Sequence, residues 1–368
     1  MSKGVLVRPR SWSALIFGLL GLALTGSLPA AAQTLGPFNV PKSRIFVAGI
    51  SSGGYMAVQM HVAYSGLFKG AAVYAGGPDY CAQDSLELAL TTCLANAPPV
   101  NAATLVATTR SWAQQGLIDP VTNLQGQPIY LWSGVLDTTV RQPLMDALRD
   151  YYGALGATVF RYDNSFLAEH GWESPYGPQP CGNAASPYVI TCYGYDKSGA
   201  TYTDPGYAAP YDSEQVWLTR WLGPLNPKNT GTLRGLIVPF DQSRFAPGGN
   251  DAAISMDRIG YAFVPADCAA GRSCSLVLAL HGCQQSYSAV GPAFIDDAGI
   301  NQWADTNHIV VLYPQAIATS STGSNPQGCW NWWGYLNDPD YALKSGPQIQ
   351  TLYRMVTQAA GRSVAQQP

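Results

Sequence analysis

Residues 45–55 read IFVAGISSGGY, and this stretch decides the fold because it joins a buried strand to a helix through a serine turn. The apolar run Ile45–Ala48 predicts the strand, and Gly49–Gly53 fits the G-x-S-x-G pattern of a nucleophile elbow. In such an elbow, a sharp turn strains the central serine and lifts its Oγ above the sheet, and flanking small residues let the two backbones approach. The apolar positions from Tyr55 to Val62 predict a helix whose N-terminal amides face Ser51. The alternative is a chance Gly/Ser turn, since the pattern is common in Gly-rich sequences.

The first 32 residues predict a secretory signal peptide. Three basic residues precede the apolar run 14–24, and residues 28–32 (LPAAA) offer an A-x-A cleavage site before Gln33. The apolar run is short for a transmembrane span, and no later segment predicts one. Cleavage after Ala32 leaves 368 − 32 = 336 residues, enough for one large α/β domain or two small ones. No linker or repeat interrupts them, so we expect residues 33–368 to form a single catalytic domain.

The composition argues against a nucleic-acid partner. Charged residues make up only 12% of the chain and the net charge is −3, so no basic surface is evident. Low charge with many Gly, Pro, Tyr and Trp residues suits an exported, loop-rich enzyme. We expect a secreted protein, extracellular or periplasmic, that acts as a monomer.

Eight cysteines, an even number in a chain with an export signal, indicate disulfides. Proximity along the chain suggests three short-range pairs and leaves two cysteines to close a longer loop: Cys81–Cys93, Cys181–Cys192, Cys268–Cys274 and Cys283–Cys329. A metal site is the alternative, but the sequence has no C-x-x-C and its histidines do not cluster with the cysteines. We therefore expect four disulfides and no metal.

Strand patterns alternate with helix patterns along the rest of the chain. Apolar runs predict strands at Gly70–Ala75, Pro128–Ser133, Thr158–Tyr162, Leu233–Phe240, Gly260–Val264, Ser275–Leu280 and Ile309–Tyr313. Amphipathic patterns predict helices at Leu105–Gln115, Gln142–Leu155, Ser213–Leu222, Ile295–Thr306 and Pro347–Ala359. This alternation predicts an α/β fold with a mostly parallel sheet covered by helices on both faces.

A serine nucleophile needs a base, and the chain has four histidines. His61 lies inside the elbow helix, and His308 precedes a strand, so structural roles explain both better. His281 stands at a strand end in HGC, where α/β-hydrolases place the oxyanion loop rather than the base. His170, in a loop next to Gly171, remains as the base.

The expected chain order Ser…Asp…His is met by Ser51, Asp137 and His170. Asp137 and His170 each follow a predicted strand end, as Ser51 does. A single loop Asp or loop His is usually only a polar surface group. Their occurrence at three successive strand ends favours a catalytic triad over coincidence.

The predicted oxyanion strand occurs in an unusual place. We expect the backbone amides of Ser52 and Cys283 to hold the oxyanion, with a Cys283–Cys329 bridge making that loop rigid. The oxyanion strand normally precedes the nucleophile, but here residues 275–283 follow Ser51 by more than two hundred positions. The last predicted helix is also of the kind that leads into a nucleophile strand. A circular permutation explains both features.

A permuted α/β-hydrolase with a GISSGG elbow, an LHGCQQ oxyanion segment and a CWNWW cluster resembles the secreted poly(3-hydroxybutyrate) depolymerases. The resemblance covers the chain from about Pro37 to Gly361, and HGCQQ in permuted order is more specific than G-x-S-x-G. It implies hydrolysis of (R)-3-hydroxybutyrate polyesters to short oligomers and monomer, without a metal or cofactor.

The resemblance carries the triad and both oxyanion amides over to the residues named above. Many polymer-degrading members append a linker and a substrate-binding domain, and the present sequence ends soon after its last predicted helix. We therefore expect no separate substrate-binding domain.

Residues 327–335 (QGCWNWWGY) concentrate tryptophan in a loop. Trp330, Trp332 and Trp333 are our candidates for an apolar wall that grips the methyl and methylene groups of a polyester. We expect at least one of them to pack inward beneath the loop.

Two other functions remain open from the sequence. A feruloyl or acetyl-xylan esterase would use a similar sheet and triad. A non-catalytic polymer-binding protein could share the scaffold, although an intact Ser/His/Asp set argues against that function.

Overall fold

The apolar runs of the sequence form strands in the computed structural model, which describes residues 34–195, 201–202, 209–320 and 325–361, together with Met1 and Gly4. The chain divides into two units, Met1–Ala31 and Ala32–Pro368, and every element below belongs to the second. The predicted signal peptide lies outside the described residues apart from Met1 and Gly4. In the described part of the chain, every helix is too short or too polar to span a bilayer.

The strands of the main sheet are β1 (Ile45–Ile50), β2 (Ala71–Tyr74), β3 (Pro128–Trp132), β4 (Thr158–Asp163), β10 (Leu236–Asp241), β11 (Ile259–Val264), β12 (Ser275–Leu280) and β13 (Ile309–Tyr313). Their order across the sheet is β10-β11-β13-β12-β1-β2-β3-β4. Strands β10 and β11 run antiparallel to their neighbours, and the other pairs are parallel. Five short strands form two small sheets: β5 (Trp172–Glu173), β6 (Gln179–Pro180), β7 (Val189–Thr191), β8 (Tyr193–Tyr195) and β9 (Thr201–Tyr202).

The helices are α1 (Ser52–Ala63), α2 (Leu86–Thr91), α3 (Ala102–Gln114), α4 (Gln142–Ala154), α5 (Ser213–Leu222), α6 (Ala266–Ala269), α7 (Tyr287–Val290), α8 (Ala293–Asp297), α9 (Ile300–Asn307) and α10 (Pro347–Ala359). Helices α1, α4 and α10 pack on one face of the sheet, with Met56, Leu144 and Leu352 in its core. Helices α5 and α9 pack on the other face with Trp217 and Ala304. The parallel sheet with helices on both faces confirms the α/β-hydrolase prediction.

The two ends of the described domain meet as the permutation requires. The amide of Phe38 donates to the carbonyl of Ala359 at 2.7 Å, which joins the end of α10 to the segment that leads into β1. Strand β12 pairs directly with β1, in a parallel register that sets Val47 opposite Leu278. The predicted oxyanion strand, late in the chain, therefore lies beside the predicted nucleophile strand near its start.

Our expectation that the strand from Ile309 lies between these two strands was wrong. Strand β13 pairs with the other edge of β12 and with β11. Direct pairing of β12 with β1 has a physical consequence. It places the segments that follow the two strands side by side at the same edge of the sheet, without an intervening strand.

Two other predictions need correction. The single helix predicted over residues 295–306 is broken between α8 and α9, because Gly299 adopts a left-handed φ of 74°. The strand predicted from Leu233 begins at Leu236, because the amides of Arg234 and Gly235 donate to the Asp305 carboxylate instead of to a strand.

The eight cysteines form the four disulfides expected from their spacing: Cys81–Cys93, Cys181–Cys192, Cys268–Cys274 and Cys283–Cys329. In the described part of the chain, the side chains of Asp267, Cys268 and Cys274 are close enough to share a metal ion. Both sulfurs belong to the 268–274 disulfide, so neither is a thiolate that would ligate a metal.

Candidate active site

Ser51 lies at the turn between β1 and α1 in a strained backbone conformation. Its φ is 56° and its ψ is −123°, a combination that is costly for a residue with a side chain. Two backbone bonds hold it: its amide donates to Tyr74 O and its carbonyl accepts from Tyr55 N, both at 2.9 Å. A Cβ on Gly49 would lie 2.1 Å from the carbonyl oxygen of Gly53, so only glycine lets strand and helix approach this closely.

The start of α1 also contacts the end of β12. A Cβ on Gly53 would lie 2.3 Å from the carbonyl oxygens of both Leu280 and His281, and a Cβ on Gly282 would lie 3.1 Å from the Ser51 Cβ. The glycines therefore bring the His281–Cys283 segment into contact with the predicted nucleophile.

Asp137 and His170 form a buried hydrogen-bonded pair on the loops after β3 and β4. His170 Nδ1 lies 2.9 Å from Asp137 Oδ2. The other oxygen, Oδ1, accepts from the amides of Thr139 at 2.9 Å and Val140 at 2.8 Å, which fixes the carboxylate plane. A carboxylate can only accept, so the proton of this bond belongs to Nδ1, and Nε2 is left with a lone pair. That tautomer is the one a general base requires.

The other histidines are already engaged elsewhere. His61 is buried, with Nδ1 3.0 Å from the Tyr152 hydroxyl and Nε2 2.6 Å from Gln127 Oε1, and burial lowers its pKa to about 4. His308 pairs with Asp267. These positions agree with the structural roles inferred from the sequence.

His281 is a buried support for the predicted oxyanion loop. Its Nε2 accepts from the amide of Ala316 at 3.1 Å, so the hydrogen is on Nδ1, which donates to the Gly282 carbonyl at 2.6 Å. Burial lowers the pKa of this imidazole to about 4, and it therefore stays neutral. In a trans peptide the C=O and the N–H point to opposite sides, so this bond turns the Cys283 amide away from His281.

The two predicted oxyanion donors meet at one place. Ser52 is the first residue of α1, where amides have no intrahelical partner. Neither its amide nor that of Cys283 bonds an acceptor within the described residues. Ser52 and Cys283 line the same cavity as Ser51 and His170.

Glu169 is a residue that the sequence did not single out. Its carboxylate accepts from the His170 amide at 3.0 Å and from the Thr138 amide and hydroxyl at 3.2 Å, and so connects the two loops of the Asp137–His170 pair. An acidic residue beside a candidate base was the available signal. Its partner Thr138 lies 31 positions away, which no local pattern reveals.

The cavity above Ser51 has a volume of about 650 Å³ and is largely apolar. Helix α2 supplies Leu86, Ala89 and Leu90 to one wall, and Trp332 and Trp333 supply another. Within the described residues no Lys, Arg, Asp or Glu lines it. It therefore fits an uncharged, apolar substrate.

The tryptophans of residues 327–335 divide between cavity and core. Trp332 stacks on Tyr55 with ring centroids 4.2 Å apart, and Trp333 packs edge-on against Trp332. Trp330 does not line the cavity, so it was wrongly included among the wall candidates, and it is the tryptophan of this loop that packs inward as we expected of at least one. It is fully buried and its indole donates to the His281 carbonyl at 2.9 Å, so it supports the loop from beneath.

Comparison with known proteins gives a consistent set of relatives. No family model matches the chain. A poly(3-hydroxybutyrate) depolymerase of Delftia acidovorans is 40% identical over 342 residues, which cover 92% of this chain and 63% of that relative. A polyhydroxybutyrate depolymerase of Talaromyces funiculosus is 38% identical over 329 residues, 85% of this chain and 89% of that protein.

Two solved structures are also similar. One is a PHB depolymerase from Penicillium funiculosum, and the other is a PHB depolymerase variant complexed with an R3HB trimer. Each has a TM-score of 0.77 and 34% identity and covers 89% of this chain and 99% of the solved one.

Proposed function

This chain belongs to the polyhydroxybutyrate depolymerase family, and we propose that it hydrolyses poly(3-hydroxybutyrate) and its oligomers to short oligomers and 3-hydroxybutyrate. The observation that carries the proposal is the arrangement of the site. Ser51 in a strained conformation, His170 paired with buried Asp137, and the amide-bearing residues Ser52 and Cys283 are arranged so that Ser51, His170, Ser52 and Cys283 line one largely apolar cavity, which no Lys, Arg, Asp or Glu lines within the described residues. Such a cavity suits a polyester, which offers an ester carbonyl, methyl groups and no charge.

The chemistry follows from the positions of these groups. His170 Nε2 takes the proton from Ser51 Oγ as the oxygen attacks the ester carbonyl, and then gives it to the leaving alcohol. Asp137 holds the imidazole in the required tautomer and stabilises the imidazolium. Water then hydrolyses the acyl-enzyme. His170 Nε2 takes a proton from the attacking water and gives it to Ser51 Oγ as the acyl group leaves.

The amides of Ser52 and Cys283 are the donors for the negative charge that develops on the carbonyl oxygen. One such donor contributes about 3 kcal/mol of transition-state stabilisation. The contribution is large because the peptides are held before the reaction begins. His281 anchors the Gly282–Cys283 peptide, and α1 fixes the amide of Ser52.

Several properties of the protein accompany this proposal. We propose that residues 1–32 are a signal peptide that directs the chain to the periplasm or the medium, which four disulfides support. We also propose that the protein acts as a monomer without a cofactor, since one chain supplies every group of the mechanism. The Delftia relative is longer, and this chain spans 63% of it.

The test is hydrolysis of suspended polymer. Purified protein should clear suspensions of amorphous poly(3-hydroxybutyrate) and release 3-hydroxybutyrate and its short oligomers, identified by mass spectrometry. Ser51→Ala should bind the polymer without clearing it. Release of ferulate or acetate from decorated xylan, with the polyester left intact, would instead assign a carbohydrate esterase.

A further inference from the structure

Gln285, the last residue of the HGCQQ motif, uses every polar atom of its side chain inside the protein. The residue is 2% exposed. Its Oε1 accepts from the Gly282 amide at 2.6 Å. Its Nε2 donates to the carbonyls of Pro187 at 2.9 Å and Tyr188 at 3.0 Å. A carboxamide provides this combination, because its oxygen accepts while its NH2 group donates two hydrogens.

Its partners belong to two different parts of the site. Gly282 belongs to the oxyanion segment. Its amide bonds Gln285, and its carbonyl, on the peptide that leads to Cys283, bonds His281. Tyr188 lines the cavity with a left-handed φ of 58°. The Tyr188 carbonyl also accepts from the amide of Trp172 at 2.8 Å, two residues after His170. The carboxamide therefore connects the oxyanion segment with the segment that follows the base.

We propose that Gln285 is a positioning residue, which sets the Cys283 amide and the Tyr188 wall relative to the Asp137–His170 pair. Although Gln285 borders the cavity, it acts through Gly282 and Tyr188, because both polar atoms of its side chain already bond backbone groups. The inference rests on the proposed serine-esterase function. It adds that the last glutamine of the motif fixes the geometry of charge stabilisation.

Substitutions at position 285 can be chosen by whether they keep the acceptor and the donors of the Gln285 carboxamide. Glu at position 285 keeps an acceptor for the Gly282 amide but turns a carboxylate towards two carbonyl oxygens, which repel it. Met keeps the length of the side chain and loses all three bonds. Both changes keep the Cys283 amide as a donor but let it shift from its position, so we expect losses below the roughly 100- to 1,000-fold that removing a whole donor causes. About a tenfold loss of kcat is expected from each.

The experiment compares Gln285→Glu and Gln285→Met with the exposed control Gln114→Glu, whose side chain makes no hydrogen bond within the described residues. The assay uses p-nitrophenyl butyrate, so that it remains interpretable even if the polymer is not the substrate. We expect kcat to fall with little change in KM. Affinity for butylboronic acid, a mimic of the tetrahedral intermediate, should fall in proportion to kcat/KM, while affinity for the product butyrate stays constant.

Three results would overturn the proposal. One is unchanged boronic acid affinity despite reduced activity. Another is a raised KM with unchanged kcat, which would make Gln285 a substrate contact. The third is activity within twofold of the parent in both variants. If Gln285→Glu fails to fold, the uncharged Gln285→Met decides by the same measurements. Absence of esterase activity in the parent would instead contradict the proposed function itself.

Discussion

Ser51 is held in its strained conformation by close backbone approaches that glycine alone allows. Gly49 and Gly53 bring β1, α1 and the end of β12 within contact distance of one another. The strain at Ser51 persists because Tyr74 and Tyr55 bond its amide and carbonyl. The conformation of Ser51 is therefore determined by the backbone of its neighbours.

Gly53→Ala should reduce activity far more than an ordinary glycine substitution. Its Cβ would overlap the carbonyl oxygens of Leu280 and His281, so the oxyanion segment must move. Esterase kinetics should show a loss of at least about tenfold in kcat. Gly153→Ala is the matched control, because this exposed glycine of α4 has no atom near its missing Cβ and alanine there stabilises a helix by up to about 1 kcal/mol. Equal activity of the two variants would contradict the contact at Gly53.

Asp79 is a second residue whose environment has a measurable consequence. It is 1% exposed, and no side chain of the described residues donates to its carboxylate. Burial raises its pKa from 3.8 to about 7, which the Tyr80 amide opposes only in part. The folded protein therefore keeps Asp79 protonated at a pH at which the unfolded chain ionises it.

We predict that Asp79→Asn makes stability less dependent on pH. With a raised carboxyl pKa, the contribution is fully present below about pH 4 and is lost as the pH rises to about 7, a change of at most about 4 kcal/mol. Urea unfolding at pH 5 and pH 8 should show that the parent loses stability between them, while the variant loses less and exceeds the parent at pH 8. Asp251→Asn, whose side chain makes no hydrogen bond within the described residues, should follow the parent. Parallel pH profiles for parent and Asp79→Asn would refute the prediction.

Chain order and residue type were enough to select the proposed triad, of which the structure pairs Asp137 with His170 and places Ser51 and His170 at one cavity. Ser51 stood in a motif, and Asp137 and His170 followed in the expected order, with three other histidines excluded by position. The contacts of Gln285 and Glu169 were missed because their partners lie 98 and 31 positions away. The sequence did not show that Trp330 is the tryptophan that packs inward, because it packs beneath His281, which lies 49 positions away.

At the scale of elements, residues 325–335 hold the oxyanion segment through a disulfide and several hydrogen bonds. Cys329 bonds to Cys283, and Gln284 N donates to Gln327 O at 2.7 Å. Asn325 holds Cys329 from both sides, accepting from its amide and donating to its carbonyl at 2.9 Å each. The element that carries the proposed oxyanion donor Cys283 is thus anchored outside its own strand.

Removing the 283–329 disulfide should affect both stability and activity. The chain-entropy model assigns about 4 kcal/mol to a bridge across 46 residues and about 2 kcal/mol to one across 6. The double variant Cys283→Ala/Cys329→Ala should lose the larger amount and most of its kcat, while Cys268→Ala/Cys274→Ala loses the smaller amount and keeps its activity. Thermal unfolding and ester hydrolysis measure the two effects. Full activity without the 283–329 bridge would show that this anchor is dispensable.

Predictability also differed among elements. Uniformly apolar runs such as 275–280 and 309–313 gave strands with the observed bounds. Strands β5 to β9 have two or three residues each, too few for a periodic pattern. The order of β12 and β13 was also predicted wrongly, because neighbours in a sheet are chosen by packing over the whole domain.

For the whole molecule, the permutation makes a prediction about chain connectivity. Phe38 and Ala359 are hydrogen bonded, so the described domain begins and ends at one place. A variant in which a short Gly/Ser linker joins Gly361 to Thr34, with new termini at Gly231, restores the usual order of oxyanion strand before nucleophile. It should fold and keep ester hydrolysis within about tenfold of the parent, since termini that lie close together tolerate this change. Circular dichroism and kinetics check it, and an unfolded product would contradict the closeness of the two ends.

The central claim is that Ser51 is a nucleophile activated by His170 and Asp137, and one measurement tests it most directly. The protein is treated with a fluorophosphonate, and peptide mapping by mass spectrometry identifies the labelled residue and its rate of labelling. We predict stoichiometric labelling of Ser51. The labelling rate should fall by orders of magnitude in a folded His170→Ala variant and strongly in Asp137→Asn. Variants that combine the two changes should label no more slowly than His170→Ala, because the residues act as one unit. Labelling of a different serine, or an unchanged rate at Ser51 in His170→Ala, would contradict the account.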